Sequence, residues 1–302
     1  MTIRFDGKVA IITGAGNGLG RTHALGLAAR GAKLVINDLG GSRDGTGQSL
    51  SAAESVAKEI RDAGGEAIVS GANVTNPDEV QAMVGAALKQ WGRIDILVNN
   101  AGILRDKTFQ KMSLDEFRLV VDVHLMGAAI CSKAVWNVMR EQNYGRIVMT
   151  TSSSGLYGSF GQSNYAAAKM GVVGLMNTLH LEGVKYNIRV NSLAPTAFTR
   201  MTDDLGIPAA AAEQLTPEAV TTGLLFLVSE DAPTRTILCA GAGGYASTMI
   251  YETEGIYLSP AERSPENVAK YFDQITSSEG QKMFLQGGEQ AAKFIRKAAP
   301  QQ

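Results

Sequence analysis

The chain has 302 residues, 45% hydrophobic and 19% charged, which is enough apolar material for a substantial core and excludes a disordered chain. Its 28 basic and 29 acidic residues leave a net charge of -1, and no Lys/Arg strip marks nucleic acid as a partner. The start MTIRFDGKVAIITG lacks the layout of a targeting signal, and no uninterrupted apolar run reaches the roughly 20 residues of a membrane span, so a cytoplasmic protein with no membrane partner is expected.

From residue 8 onward, short β-branched runs alternate with amphipathic stretches. KVAIITG, AKLVIND, EAIVSGANV and RIDILVNNAG read as strands; LGRTHALGLAARG, SLSAAESVAKEIRDAGG and PDEVQAMVGAALKQWG read as the helices between them. The alternation continues through SLDEFRLVVDVHLMGAAICSKAVWNVMREQN, the strand GRIVMTTSS, a helix from Ser163 to about Val184 and the strand NIRVNSLAP. A helix near 216 to 229 and a strand near 234 to 241 follow. Continuous apolar strands separated by helices predict an α/β fold, a single doubly wound domain over residues 1–245 with about seven parallel strands and helices on both faces. Residues 246–302, with PENVAKYFDQI and EQAAKFIRKAA, read as a helical extension of the same domain. The loop GGSRDGTGQS, residues 40–49, is longer than a strand-to-helix connection needs. Cys131 and Cys239 sit in apolar contexts and are expected to be plain thiols; His23 and His180 have no partners at metal-ligand spacing.

The first strand runs into TGAGNGLG, residues 13–20, and straight into a helix. In that context Gly14 allows a tight turn, Gly18 lets the backbone approach a pyrophosphate, and Gly20 lets the helix pack close; Asn17 and Leu19 share the turn. Asp38 ends the second strand, where a carboxylate accepts adenosine ribose hydroxyls and repels a 2'-phosphate. With Asn17 in place of a basic residue, NAD is the expected cofactor, although Arg21 and Arg43 lie close in sequence.

In GQSNYAAAKMG, residues 161–171, Tyr165 and Lys169 lie at i and i+4 and share one helix face. Alone the pair is uninformative. Ser152 stands thirteen residues earlier, at the carboxyl end of RIVMTTS, the edge where doubly wound sheets bind ligands. A phenol, an ammonium and a hydroxyl there make a proton-transfer set, with Tyr165 as the base, Lys169 lowering its pKa and Ser152 holding the substrate oxygen.

Together these residues resemble the short-chain dehydrogenase/reductase family. TGxxxGxG at Thr13–Gly20, NNAG at Asn99–Gly102, Ser152, Tyr165-x-x-x-Lys169 and Pro195 carry the resemblance over about residues 5–245. It implies that Asn99 holds the turn beside the adenosine ribose, with Ala101 and Gly102 alongside, and that Lys169 also binds the nicotinamide ribose. Asn73 and Val74 fall where an Asp usually meets the adenine, and Pro195 with Thr199 or Thr202 would face the carboxamide. His124 replaces the usual Asn of the fourth catalytic position, where the family residue kinks a helix and holds a water linked to Lys169; a plain helix-interior polar residue is the alternative. His124, the long loop after Asp38 and NSLAPTAFTRMT are similar to the (3R)-hydroxyacyl-CoA dehydrogenase part of the type 2 peroxisomal multifunctional enzymes. That implies NAD-dependent oxidation of a (3R)-3-hydroxyacyl-CoA, with a 17β-hydroxysteroid, a ketoacyl-thioester reduction and a non-catalytic dinucleotide binder as alternatives. Arg105, Lys107 and Arg200 are candidate contacts for the phosphates of CoA. The family also implies a homodimer or homotetramer through the long helices near 113–141 and 163–184.

Overall fold

A computed structural model describes residues 2–199 and 208–299. The strands are β1 Val9–Thr13, β2 Lys33–Asn37, β3 Ala67–Ser70, β4 Ile96–Asn99, β5 Gly145–Thr150, β6 Ile188–Thr196, β7 Ile237–Gly241 and β8 Gly244–Thr248. They form one sheet in the order β3-β2-β1-β4-β5-β6-β7-β8, with β1 through β7 parallel to their neighbours. The sequence predicts about seven strands; the eighth follows a two-residue turn in which Ala242 (φ 49°) and Gly243 (φ 78°) are both left-handed. Only an antiparallel pair can use so short a connection. The chain reverses direction in the sheet between β1 and β4, the place where a doubly wound fold opens a ligand crevice.

The helices α1 Gly18–Ala28, α2 Ser51–Asp62, α3 Pro77–Trp91, α4 Leu114–Val121, α5 Gly127–Gln142, α6 Ser153–Tyr157, α7 Ser163–Gly183, α8 Ala209–Ala212 and α9 Pro217–Leu227 complete this part of the chain. Strand alternation feeds two cores: Ala10, Ile12, Leu34 and Ile36 bury with Leu27, Ile60 and Leu224 on one face, while Ile11 and Val35 bury with Val84, Val135 and Val173 on the other. Helix ends follow local chemistry. Asn76 caps α3 ahead of Pro77, Gly92 (φ 72°) ends it, and Ser113 with Glu116 forms a capping box at α4. A π-helical turn, Asp122–Met126, joins α4 to α5, so Leu114–Gln142 is one continuous helix. By length and composition alone this helix could cross a membrane, yet Val120, Ala128, Cys131, Val135 and Met139 bury in the protein.

The chain divides into two compact units, Met1–Ser247 and Thr248–Gln302. The second holds α10 Pro265–Lys270, α11 Phe272–Thr276 and α12 Gly288–Ala298, where the sequence suggests two short helices. Within it, Lys293 is buried against the Glu252 carboxylate at 2.8 Å and donates to the Thr253 carbonyl at 2.5 Å.

Candidate active site

β1 hands the chain to α1 through Gly14, whose φ of +65° suits a residue without a Cβ. A Cβ at Gly20 would overlap the Gly14 carbonyl oxygen, so the glycine spacing is what brings α1 down onto the turn. The Thr13 hydroxyl accepts the N–H groups of Asn100 and Ala101, each at 3.0 Å, and the Asn100 amide donates to the carbonyls of Thr13 and Gly14, each at 3.0 Å. Asn100 therefore holds the turn, the role the resemblance implies for Asn99. Asn99 is the last residue of β4, and strand alternation sends it to the opposite side, where its amide meets Ser132 Oγ at 3.2 Å.

The Asp38 carboxylate accepts the Gly16 N–H through Oδ2 and the Gly40 N–H through Oδ1, both at 2.7 Å. Gly14, Asn17, Gly18, Leu19, Gly20, Asp38, Asn73, Val74, Ala101, Gly102 and Thr199 line one cleft of about 260 Å³. Gly18 takes a left-handed φ of 50°, a conformation that favours glycine at the helix start beside this cleft. The turn, the helix start and the carboxylate fit a dinucleotide. Asn99 and Pro195 lie outside the cleft lining; Pro195 pairs with Ala240 within the sheet. Arg200 and Thr202 fall outside the described residues.

Ser152 follows β5 at its carboxyl end and caps α6, its hydroxyl accepting the Ser154 N–H at 3.2 Å. Gly155 allows α6 to sit against α7: a Cβ there would lie 2.7 Å from Lys169 Cβ. Thr151 Oγ1 donates to the Lys169 carbonyl at 2.6 Å, pinning α7 to the end of β5. These contacts bring Ser152, Tyr165 and Lys169 together at the end of β5. Lys169 is buried, donates to the Thr150 carbonyl at 2.6 Å and stands 5.5 Å from the Tyr165 ring centroid. Burial pushes the Tyr165 phenol up to about 12, against the Ser152 hydrogen bond, and the Asp106 charge adds to the rise. Burial lowers Lys169 to about 7.

His124 occupies the π-helical turn and is buried. Its Nε2 lies 2.8 Å from the Ile103 carbonyl oxygen and 3.1 Å from the Ile103 amide nitrogen, so either neutral tautomer finds a backbone partner there. Burial, followed by the Lys169 charge, holds its pKa well below the ordinary value, against the Ile103 hydrogen bond. His124 Nδ1, Asn99 Oδ1 and Thr150 Oγ1 are buried without protein partners. Their residues and Lys169 line a small cavity of about 10 Å³, the space of one water. A Cβ at Gly102 would run into His124 Cε1, so this glycine makes room for the imidazole.

Of the cations proposed for CoA, Arg105 donates through Nε to the Asp44 carbonyl at 2.8 Å and Lys107 pairs with Glu116 at 2.6 Å. Arg21 is tied to both oxygens of Glu59, at 2.9 and 2.7 Å. His23, fully buried, meets Thr221 Oγ1 at 2.7 Å, and burial lowers it to about 3. Sequence reasoning overlooks Asn100, Ile103, Thr150, Thr151 and Gly155; only Asn100, inside the NNAG motif, carries a local signal.

A family model described as short chain dehydrogenase matches residues 8–207. A short-chain type dehydrogenase/reductase of Mycobacterium tuberculosis is 45% identical over 277 residues, covering 91% of this chain and 96% of the relative. The peroxisomal hydratase-dehydrogenase-epimerase of Saccharomyces cerevisiae is 44% identical over 277 residues, covering 91% of this chain, which spans 30% of that enzyme. The structure of full-length peroxisomal multifunctional enzyme type 2 from Drosophila melanogaster superposes with a TM-score of 0.82 at 34% identity, over 97% of this chain and 50% of the fly chain. A 7α-hydroxysteroid dehydrogenase complexed with NADH and 7-oxo glycochenodeoxycholic acid gives a TM-score of 0.72 at 30% identity, covering 80% of this chain and 95% of that one. The glycine turn, the carboxylate after β2 and the Ser152–Tyr165–Lys169 group thus sit in a chain that belongs to the short chain dehydrogenase family, nicotinamide-dinucleotide oxidoreductases acting on secondary alcohols.

Proposed function

We propose that the protein oxidises a (3R)-3-hydroxyacyl-CoA to the 3-ketoacyl-CoA with NAD. One observation carries the chemistry: Tyr165 lies one helical turn from buried Lys169 on α7, which Thr151 pins beside Ser152 at the sheet edge that also forms the dinucleotide cleft. The acyl-CoA class rests on the identity with the multifunctional enzymes. Arg105 and Lys107, engaged by Asp44 and Glu116, lend it no support.

The glycine turn and the α1 N-terminus would hold the pyrophosphate, and Asp38 the adenosine ribose. The bound dinucleotide supplies a ring carbon that takes hydride from the carbinol carbon. Ser152 hydrogen-bonds the substrate hydroxyl oxygen and orients it toward Tyr165, which takes the hydroxyl proton. A Lys169 ammonium would favour the phenolate by charge, and the Ser152 side chain already pulls the phenol's pKa down against the upward push of burial. Asp38, together with Arg21 committed to Glu59, supports NAD over NADP, although Arg43 also lines the cleft. Exposed Met126, Met170, Leu181 and Val184 on the long helices support a homodimer or homotetramer.

The test is NADH formation from matched (3R)- and (3S)-3-hydroxyacyl-CoA, with NAD and NADP, beside free 17β-hydroxysteroids. The (3R) thioester with NAD should give the highest kcat/KM. A higher value for the free steroid would replace this reading with a hydroxysteroid dehydrogenase, the second reading, which the superposed 7α-hydroxysteroid enzyme favours. Tyr165→Phe should lower kcat by about 10² to 10⁴ while still binding NADH; equal rates would remove Tyr165 as the base.

A further inference from the structure

The long loop after β2 has its feet together: Ser49 N–H donates to the Leu39 carbonyl at 3.0 Å, and Gly40 N–H is held by Asp38. A ten-residue excursion with closed ends is an Ω-like loop, which folds on its own side chains. Here Asp44 organises the tip. Its Oδ1 accepts the Ser42 hydroxyl at 2.5 Å, the Thr46 hydroxyl at 2.7 Å and the Thr46 N–H at 3.0 Å, and the Ser42 N–H donates to the Thr46 carbonyl at 2.7 Å.

This prefolded tip reaches across to the segment that follows β4. Leu104 N–H donates to the Arg43 carbonyl at 3.0 Å, Arg105 Nε donates to the Asp44 carbonyl at 2.8 Å, and a Cβ at Gly45 would lie 3.2 Å from Ile103 Cγ2. Ser42, Arg43 and Gly45 line the dinucleotide cleft from one side and Ala101 and Ile103 from the other, whereas Arg105 is not part of the lining. The loop therefore bridges the cleft between Asp38 and the end of β4. Its anchor is firm: the Arg105 carbonyl accepts the amide of fully buried Asn164, the residue before Tyr165, at 3.0 Å. Its latch includes two hydrogen bonds and one glycine contact among the described residues, contacts near the surface that local opening can break without unfolding the sheet.

We propose that residues 42–46 are a strap over the bound dinucleotide and that Arg105 is its positioning residue, so that cofactor exchange requires release of the Arg105–Asp44 and Leu104–Arg43 contacts. The proposal rests on the dinucleotide reading of the cleft. It makes the strap a determinant of cofactor residence time, separate from the groups that transfer the proton.

The test is the NADH dissociation rate, followed by fluorescence after displacement with excess NAD, for the wild type, Arg105→Ala and Arg105→Lys. Arg105→Ala should release NADH about tenfold faster, the effect of losing a single latch hydrogen bond to carbonyl oxygen. Its KM for NAD should rise by a similar factor, and the pH profile of kcat should keep its shape; Arg105→Lys, still able to donate to Asp44, should recover part of the loss. In the wild type, the Leu104 amide should exchange its hydrogen more slowly with NADH bound, a measurement that needs no variant. An unchanged dissociation rate in Arg105→Ala, or Leu104 exchange that ignores NADH, overturns the strap while leaving the cofactor assignment in place. Failure of the wild type to bind either NADH or NADPH overturns both.

Discussion

The imidazole of His124 meets the phenol ring of Tyr165 edge-on, with centroids 5.1 Å apart and planes at 88°. Such a contact holds the ring of the proposed base, and the same imidazole is fixed from behind by Ile103. His124→Ala should therefore loosen Tyr165 and lower kcat/KM about tenfold, or ~1.4 kcal/mol in transition-state stabilisation. His124→Asn, which restores a short polar group able to donate and accept, should lose less. Steady-state kinetics on both variants checks the order.

Gly155 is the spacer between the helix that begins after Ser152 and the helix that carries Tyr165 and Lys169. Gly155→Ala adds a methyl 2.7 Å from Lys169 Cβ and 2.9 Å from its carbonyl carbon, and the second neighbour is backbone that cannot swing away. The variant should be destabilised by about 1–3 kcal/mol in urea unfolding. Its kcat should also fall, with NADH affinity retained, because Ser152 moves relative to Tyr165 while the glycine turn is untouched.

Burial lowers Lys169 from 10.5 to about 7. Between those values the unfolded chain carries a proton that the folded protein lacks, so stability rises with pH across the window. Below about 7 the cost of burying the charge is fully present. From about pH 7 to about pH 9 the wild type should gain about 2 kcal/mol relative to Lys169→Met, measured by urea midpoints. Tyr165, raised to about 12, acts only above its ordinary 10 and leaves this range clear.

His23 gives an acid-side counterpart. It is fully buried, bonded to Thr221, and lowered to about 3. From pH 6.5 downward the unfolded chain takes up a proton that the folded protein refuses, so stability falls with pH through that range. At about pH 5 the wild type should have lost about 2 kcal/mol on this account. His23→Gln, with no titrating ring, should lose that much less between about pH 7 and pH 5 in the same unfolding assay.

The residues legible in the sequence are those whose geometry is set locally. An i, i+4 pair must share a helix face, a serine closing a strand must sit at the sheet edge, and a glycine turn between strand and helix must face the crevice. Roles set by where an element stops are less legible: Asn99 and Asn100 exchange the expected role because β4 ends between them. The hairpin strand Gly244–Thr248 hides in GAGGYAS because a two-glycine neighbourhood reads equally well as a tail. Long-range partners leave no local trace at all. Nothing near Arg105 announces that its guanidinium is committed to a carbonyl 61 positions earlier, nor does anything near His124 point to Ile103.

Asp38 accepts the N–H of Gly16 with one oxygen and that of Gly40 with the other, so it fastens the glycine turn to the foot of the strap before any ribose arrives. The residue proposed to discriminate against a 2'-phosphate is therefore also a structural tie between two loops. Re-engineering the protein toward NADP by exchanging this one side chain would leave two backbone donors loose on either side of the pocket. On the proposed reading, coenzyme preference is a property of the whole knot, and the turn and the loop foot would have to be rebuilt along with the charge.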